Sequence, residues 1–315
     1  MNFVRGCFEV FDDYGQKGEL IFKAATTCYK SESITQRTPD DFIKMLKKNQ
    51  HLSMLEFMWI PIRIRYDYIR TTLTEASLDK YIFQTNKFLK VNFIKTTRGA
   101  HLRYELVVSG NARAWLEFIQ DNKIKKKLHC YKNLCWFLHN LNPFLFDKPV
   151  KNYRINSNII IRLEKKPNKQ HNWVAVKFYN VSRGMTHELV RHRMMSFAQA
   201  STRYINFKNF NFIFDFSKLD GFDTGNLLFF QKELNQLLAK IKILYSECVE
   251  DLKIPKDLMR QILPIGIAGE ICVAGRIEDW KHIFKLRGLE AKGVHWEIHD
   301  LISEVEEEFK RKKLI

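Results

Sequence analysis

Two short runs set the terms for any fold this chain can adopt. In Ile60-Pro61-Ile62-Arg63-Ile64-Arg65 and in Val174-Ala175-Val176-Lys177-Phe178, apolar side chains recur at every second position. That period places them on one face of an extended chain, so each run predicts a half-buried strand. The second ends at Ser182-Arg183-Gly184, and Asn158 to Leu163 reads as a further strand, as does the Phe-rich segment Phe207 to Phe216. Helices alternate with them. Thr38-Pro39-Asp40-Asp41 offers a cap hydroxyl, a proline in the first turn and acids at the positive end of the dipole, predicting a helix to near Asn49 with Phe42, Met45 and Leu46 on one stripe. Gly110 to Trp115 opens another, and Leu128 to Leu141 reads as a third. A long helix is predicted from about Asn226 to Asp251, with Leu234, Leu237, Leu238, Ile241, Tyr245 and Cys248 facing the core. Pro255 starts one more, which carries Arg260.

Aromatics make up 13% of the 315 residues, against only 13 Gly and 7 Pro, which excludes a disordered chain. Six scattered cysteines and no secretory segment within Met1 to Asp12 predict free thiols in a reducing cytoplasm. No apolar run nears the roughly 18 residues that a membrane span needs. The one metal-like cluster is His129-Cys130, Cys135 and His139, whose cysteine spacing exceeds that of compact zinc knuckles. These are expected to be core-facing residues of a helix, and no metal is expected. The net charge of +17 attracts polyanions and small anions alike. Lys123 to Lys127 and Arg311 to Lys313 fit a nucleic-acid partner or, equally, cations at the ends of solvated helices.

One stretch departs from an ordinary charged surface. From Leu189 to Phe214 there is no Asp or Glu, only Arg191, His192, Arg193, Arg203 and Lys208. Arginines among Leu189, Val190, Met194, Met195 and Phe197 are expected to be partly desolvated, and an unpaired buried guanidinium costs several kcal/mol. A bound phosphate relieves that cost, since the planar fork of Arg suits phosphate oxygens. Distant carboxylates of the same protein would relieve it too. The strand that ends at Ser182 is expected to pass into a helix whose free N-H groups support the phosphate. The second half of the stretch, from Ser196, is expected to leave that helix as a loop.

Arg191-His192-Arg193, then Ser196, Gln199, Ser201, Arg203 and Tyr204, with His187-Glu188 leading in, resembles the defining motif of the flavin-dependent thymidylate synthases (ThyX). Further blocks are similar to that family. They are His51-Leu52-Ser53-Met54-Leu55-Glu56 before the first strand, Arg260-Gln261-Ile262-Leu263-Pro264, and Phe284-Lys285-Leu286-Arg287 with Trp296-Glu297-Ile298 beyond. Ala24 to Tyr29 looks like the family's N-terminal segment without its Arg. The resemblance implies catalytic roles for Arg287, Ser201 and His51. Flavin contacts fall to Ser53, Arg191, His192, Arg193, Gln199 and His282. Contacts to the nucleotide fall to Glu188, Arg191, Gln199, Ala200, Ser201, Thr202, Arg203, Arg260 and Arg287. The alternative for Arg287 is a structural cation paired with Glu290 or Glu297.

Some positions depart from the family. Ala198 stands where Asn is common and Phe57 where a second His often lies. Arg276 and His282 replace flavin-touching Asn residues, and Gly293, with His295 nearby, falls where a His is familiar.

The resemblance further implies an α/β (α+β) fold with a twisted, largely antiparallel sheet flanked by helices, in one domain over residues 1–315. An elaborated middle at about 67–172 belongs to that domain, with a separate module as the alternative. It implies a homotetramer that binds FAD, takes hydride from NADPH and methylene from 5,10-methylenetetrahydrofolate, and converts dUMP to dTMP without a cysteine nucleophile. Two other readings stay open: a relative acting at C5 of another pyrimidine nucleotide, and a basic nucleic-acid-binding protein without catalysis. Gly275 to Phe284 echoes Gly110 to Trp115, with Gly and Trp five apart in each, but two matched residues do not make an internal repeat.

Overall fold

The two alternating runs become central strands of two different sheets. The computed structural model describes residues 3–12, 19–29, 37–67, 72–98, 101–149, 155–165 and 167–315. In one sheet β1 (Cys7–Phe11), β6 (Trp173–Ser182), β8 (Ala268–Arg276) and β7 (Ser196–Gln199) lie side by side in that order. In the other the order is β3 (Lys90–Arg98), β4 (His101–Asn111), β2 (Trp59–Tyr66), β5 (Ile159–Leu163). Every pairing is antiparallel. The mixed α/β class is as expected, but the antiparallel sheet is divided in two.

Helices surround both sheets. α1 (Glu19–Tyr29) and α2 (Pro39–Lys48) precede β2, and α3 (Thr72–Gln84) precedes β3. α4 (Ala112–Gln120), α5 (Asn122–Lys127) and α6 (Tyr131–Leu141) follow β4, and α7 (Arg183–Leu189) follows β6. α8 (Thr224–Ser246) and α9 (Lys256–Met259) lie between β7 and β8, with α10 (Ile277–Arg287) and α11 (Trp296–Arg311) beyond. Among the described residues no helix is long and apolar enough to cross a membrane.

α2 forms where its cap predicts, since Thr38 Oγ1 accepts from Asp41 N at 3.2 Å and Phe42, Ile43 and Leu46 are buried. One core gathers Leu46, Phe57, Ile62, Phe83, Trp115 and Leu134, and extends to Trp173 and Cys272 of the other sheet. A second core joins Val176, Phe178, Ile271, Trp280, Ile302 and Phe309. Each large side chain so buried contributes about 1.5–3 kcal/mol. Among the described residues no group of three or more His, Cys, Asp or Glu side chains is placed to hold a metal ion. Fully buried Asp79 accepts hydrogen bonds from Tyr66 OH at 2.7 Å, His129 N at 2.8 Å and Cys130 N at 3.0 Å. His139 Nδ1 lies 2.9 Å from Phe146 O.

Three local expectations are corrected. Phe207 to Phe216 is not a strand. Among the described residues only Phe212 of this segment makes isolated bridges, to Phe3 and Ile267, while Phe207, Phe210 and Phe212 pack with Leu238 and Tyr245 of α8. A phenylalanine-rich segment can bury its rings against a helix without pairing its backbone. On α8 Leu238 and Tyr245 are core, but Leu237 is 55% exposed. The segment from Ser196 begins as a strand, Ser196 to Gln199 pairing with Ala274 to Ile271 as β7, and becomes a loop only from Ala200.

Candidate functional site

β6 hands the chain to the motif through Ser182, which caps α7 by accepting from Met185 N at 3.0 Å. Glu297 of α11 accepts from Ser182 N at 2.7 Å and from Ser182 Oγ. Burial pushes the Glu297 carboxyl up, and the bonds from Ser182 act against it. The backbone start of this seven-residue helix is thus engaged by a carboxylate and by its own cap, and a phosphate near it depends on arginine side chains instead. The motif's cations follow the opposite end of α7, where exposed carbonyls favour positive charge. Burial is also redistributed, since Arg191 and Arg193 are exposed while Arg183 and Arg287 are partly withdrawn from water.

At that end Glu188 and Arg287 meet. Arg287 Nη1 lies 2.7 Å from Glu188 Oε2, with the side chains 23% and 32% exposed. The structural partners considered for Arg287, Glu290 and Glu297, are not the ones it uses. Its Nε is buried and unbonded, as is His192 Nε2. The His192 and His282 rings lie 6.4 Å apart. Burial, then the charges of Arg287 and His282, lower the His192 pKa and favour the neutral imidazole. Two buried polar atoms without partners beside a half-buried ion pair are groups that a ligand would satisfy.

A second cation group lies near the start of α7. Arg183 Nη2 donates to Ala200 O at 3.0 Å. Burial and then the charge of Arg260 lower the Arg183 pKa, so the positive charge of Arg260 is felt at Arg183. Among the described residues, none of Arg183, Arg191, Arg193, Arg203 and Arg260 has a carboxylate within ion-pair distance. Mutual repulsion without a counter-charge is relieved by an anion. Close by, Ser201 Oγ accepts from Arg203 N at 3.3 Å, and Gln199 Nε2 donates to Thr186 Oγ1 at 2.6 Å. Ala200 and Thr202 are buried, whereas Arg203 is exposed over the ring of Tyr204. The neighbouring Cys28 thiol is pushed up to about 11, chiefly by burial, and stays protonated at neutral pH.

The turn before β2 contributes Glu56. Ser196 Oγ donates to Glu56 Oε2 at 2.7 Å, and Arg113 Nη1 donates to Glu56 Oε1 at 2.9 Å. With Arg193, Met194 and Phe88 these line a small cleft. His51 and Ser53, from the same turn, are exposed, and their side chains make no hydrogen bond among the described residues. Two participants were not singled out in the sequence. Arg183 looked like the end of a strand, and the influence of Arg260 on it across 77 positions has no local signal. Arg113 lay in a helix start whose contact with Glu56 only the fold makes.

On a mixed α/β scaffold, guanidiniums without carboxylate partners lie near buried polar atoms without hydrogen bonds, an arrangement whose chemistry suits an anionic small molecule. Residues 157–313 match the family described as thymidylate synthase complementing protein. The chain is similar to proteins named flavin-dependent thymidylate synthase. Those of Mycobacterium bovis and Mycobacterium tuberculosis are 29% identical over 126 residues, covering 37% of this chain and 50% of theirs. That of Pyrococcus furiosus is 28% identical over 143 residues, covering 45% and 57%. The chain spans about half the length of the curated relatives it matches.

Proposed function

We propose that this protein is a flavin-dependent thymidylate synthase that converts dUMP to dTMP, taking the methylene carbon from 5,10-methylenetetrahydrofolate and reducing equivalents from NADPH. The observation that carries the reading is the Glu188–Arg287 pair with its unsatisfied Nε. A guanidinium oriented by a carboxylate and still holding a free donor suits the edge of a uracil ring. It would stabilise negative charge developing there as C5 becomes nucleophilic, a kind of interaction worth several kcal/mol when water is excluded. Arg183, Arg203 and Arg260 hold the phosphate, with Ser201, Ala200, Thr202 and Gln199 beside it.

FAD fits the remaining groups. Arg191, Arg193 and His192 have no carboxylate partner among the described residues, His192 Nε2 is buried without a bond, and His282 flanks it. When bound, the flavin supplies hydride chemistry that side chains lack. On the strength of the sequence motif, His51 stays in the proposal as a catalytic residue and Ser53 as a flavin contact. A homotetramer belongs to the same reading, because α8 exposes Leu228, Phe229, Leu237, Ile243 and Leu244, an apolar face that further copies would cover.

The test is the absorbance spectrum of the purified protein before and after incubation with FAD, then assays with dUMP and dCMP side by side. A flavin spectrum and turnover of dUMP are expected. A colourless protein that takes up no FAD, or turnover of dCMP alone, overturns the assignment. Light scattering that gives a fully active monomer would remove the tetramer.

A further inference from the structure

Two parts of the chain follow one plan. The path β2, α3, β3, β4, α4 and the path β6, α7, β7, β8, α10 pass through sheets with the same neighbour order, β3-β4-β2 and β7-β8-β6. Each is flanked on its far side by one more antiparallel strand, β5 beside β2 and β1 beside β6. The excursion through α8 and α9 is inserted between β7 and β8, where only two residues separate β3 from β4.

Shared topology can arise by chance, but here the detail repeats residue by residue. Gly110 pairs with Ile60, and Gly275 with Val174. Five residues after each glycine, Trp115 Nε1 donates to Ile60 O and Trp280 Nε1 to Val174 O, both at 3.0 Å. The first helical residues do likewise, Ala112 N donating to Met58 O at 2.7 Å and Ile277 N to Asn172 O at 3.1 Å. A Cβ on Gly110 would strike Leu89, and one on Gly275 would strike Met195, the residues just before β3 and β7. The ion pairs Arg63–Glu105 at 2.7 Å and Lys177–Glu270 at 3.2 Å occupy corresponding places. Counterparts also touch each other. Trp59 and Trp173, which open β2 and β6, stack 6.1 Å apart with planes 9° from parallel. A residue meeting its own counterpart is what an isologous two-fold contact produces.

The copies differ where chemistry is concerned. Aligned through β3 and β7, Arg191-His192-Arg193 correspond to Thr85-Asn86-Lys87. Aligned through β4 and β8, Arg287 corresponds to Asn122. We infer that residues 59–163 are a second copy of the unit formed by residues 173–287 with β1, that this copy has no ligand site of its own, and that it serves as the in-chain partner walling the motif's cleft. Arg113 on α4 is its positioning residue, holding Glu56 for Ser196. The count of sites rests on the proposed function, whereas the pairing of the copies does not.

Hydrogen exchange of the full chain, read by mass spectrometry, tests the pairing. Trp59→Ala and, reciprocally, Trp173→Ala should each speed exchange roughly a hundredfold in both β4 and β8, because each removes one half of a shared stack. Acceleration confined to the copy that carries the substitution would overturn the inference. If either variant fails to fold, the same comparison is made with Trp59→Phe and Trp173→Phe. FAD titrated into the wild type should saturate at one per chain, and two per chain would give the first copy a site and refute its role as a wall. Absence of any uptake would sink the flavin reading instead, and the exchange pattern would still decide the pairing. Arg113→Met should accelerate exchange in β7 while β8 keeps its protection; an unchanged β7 removes Arg113 from the cleft.

Discussion

Acid should weaken this protein at His171 in particular. The residue is fully buried just before β6, with Nδ1 2.7 Å from Ser109 Oγ and Nε2 unbonded, and its carbonyl accepts from Trp59 Nε1 at 2.9 Å. Burial, then the charge of Lys90, lower its pKa from 6.5 to about 4, against a smaller opposing pull from Glu164. A histidine kept neutral by the fold contributes stability that is present above its unfolded pKa and is lost as pH falls through the folded one, since the unfolded chain binds the proton first. At about 1.4 kcal/mol per pH unit, the gap is worth on the order of 3 kcal/mol, of which about 1.8 kcal/mol disappears between pH 7 and pH 5. Urea unfolding at the two pH values, on the wild type and on His171→Gln, measures it. The variant should be less stable at pH 7 but lose less on acidification than the wild type. Equal losses, or a His171 resonance titrating near pH 6, would refute the reasoning.

Arg287→Lys keeps the charge but not the two-pronged geometry, so single-turnover methyl transfer should fall ~10²–10³-fold with FAD content near normal; an unchanged rate removes Arg287 from the chemistry. Replacing Arg183, Arg203 or Arg260 with Ala should raise the dUMP concentration needed for half-saturation while reduction of bound FAD by NADPH continues, and an unaltered dUMP affinity in all three would place the phosphate elsewhere. Asp79→Ala strips the acceptor from Tyr66 OH and from two backbone N-H groups, so unfolding free energy should drop by about 3–5 kcal/mol in urea titrations. A loss below about 1 kcal/mol would mean that water reaches that pocket.

What the sequence determined by itself is local in origin. The helix at Thr38 is set by a hydroxyl, a proline and two acids within four residues, and β2 and β6 are set by a period that any strand with one buried face must show. The cation motif was legible for the same reason, because its missing acids are missing from one contiguous stretch. Tertiary structure decided which partners the carboxylates around the site use. Glu188 finds Arg287, Glu297 finds Ser182 across 115 positions, and Glu56 finds Ser196 across 140. It also decided that the phenylalanines after Phe207 bury their rings on α8, since apolar alternation says that side chains leave water and not whether their backbone has a strand to pair with. The doubling of the fold was faint in the residues because only a few positions are constrained by it. A glycine under a neighbouring side chain, a tryptophan bonded to a strand carbonyl and one ion pair persist, while every other side chain can change as long as the hydrogen-bonded register of the backbone is kept.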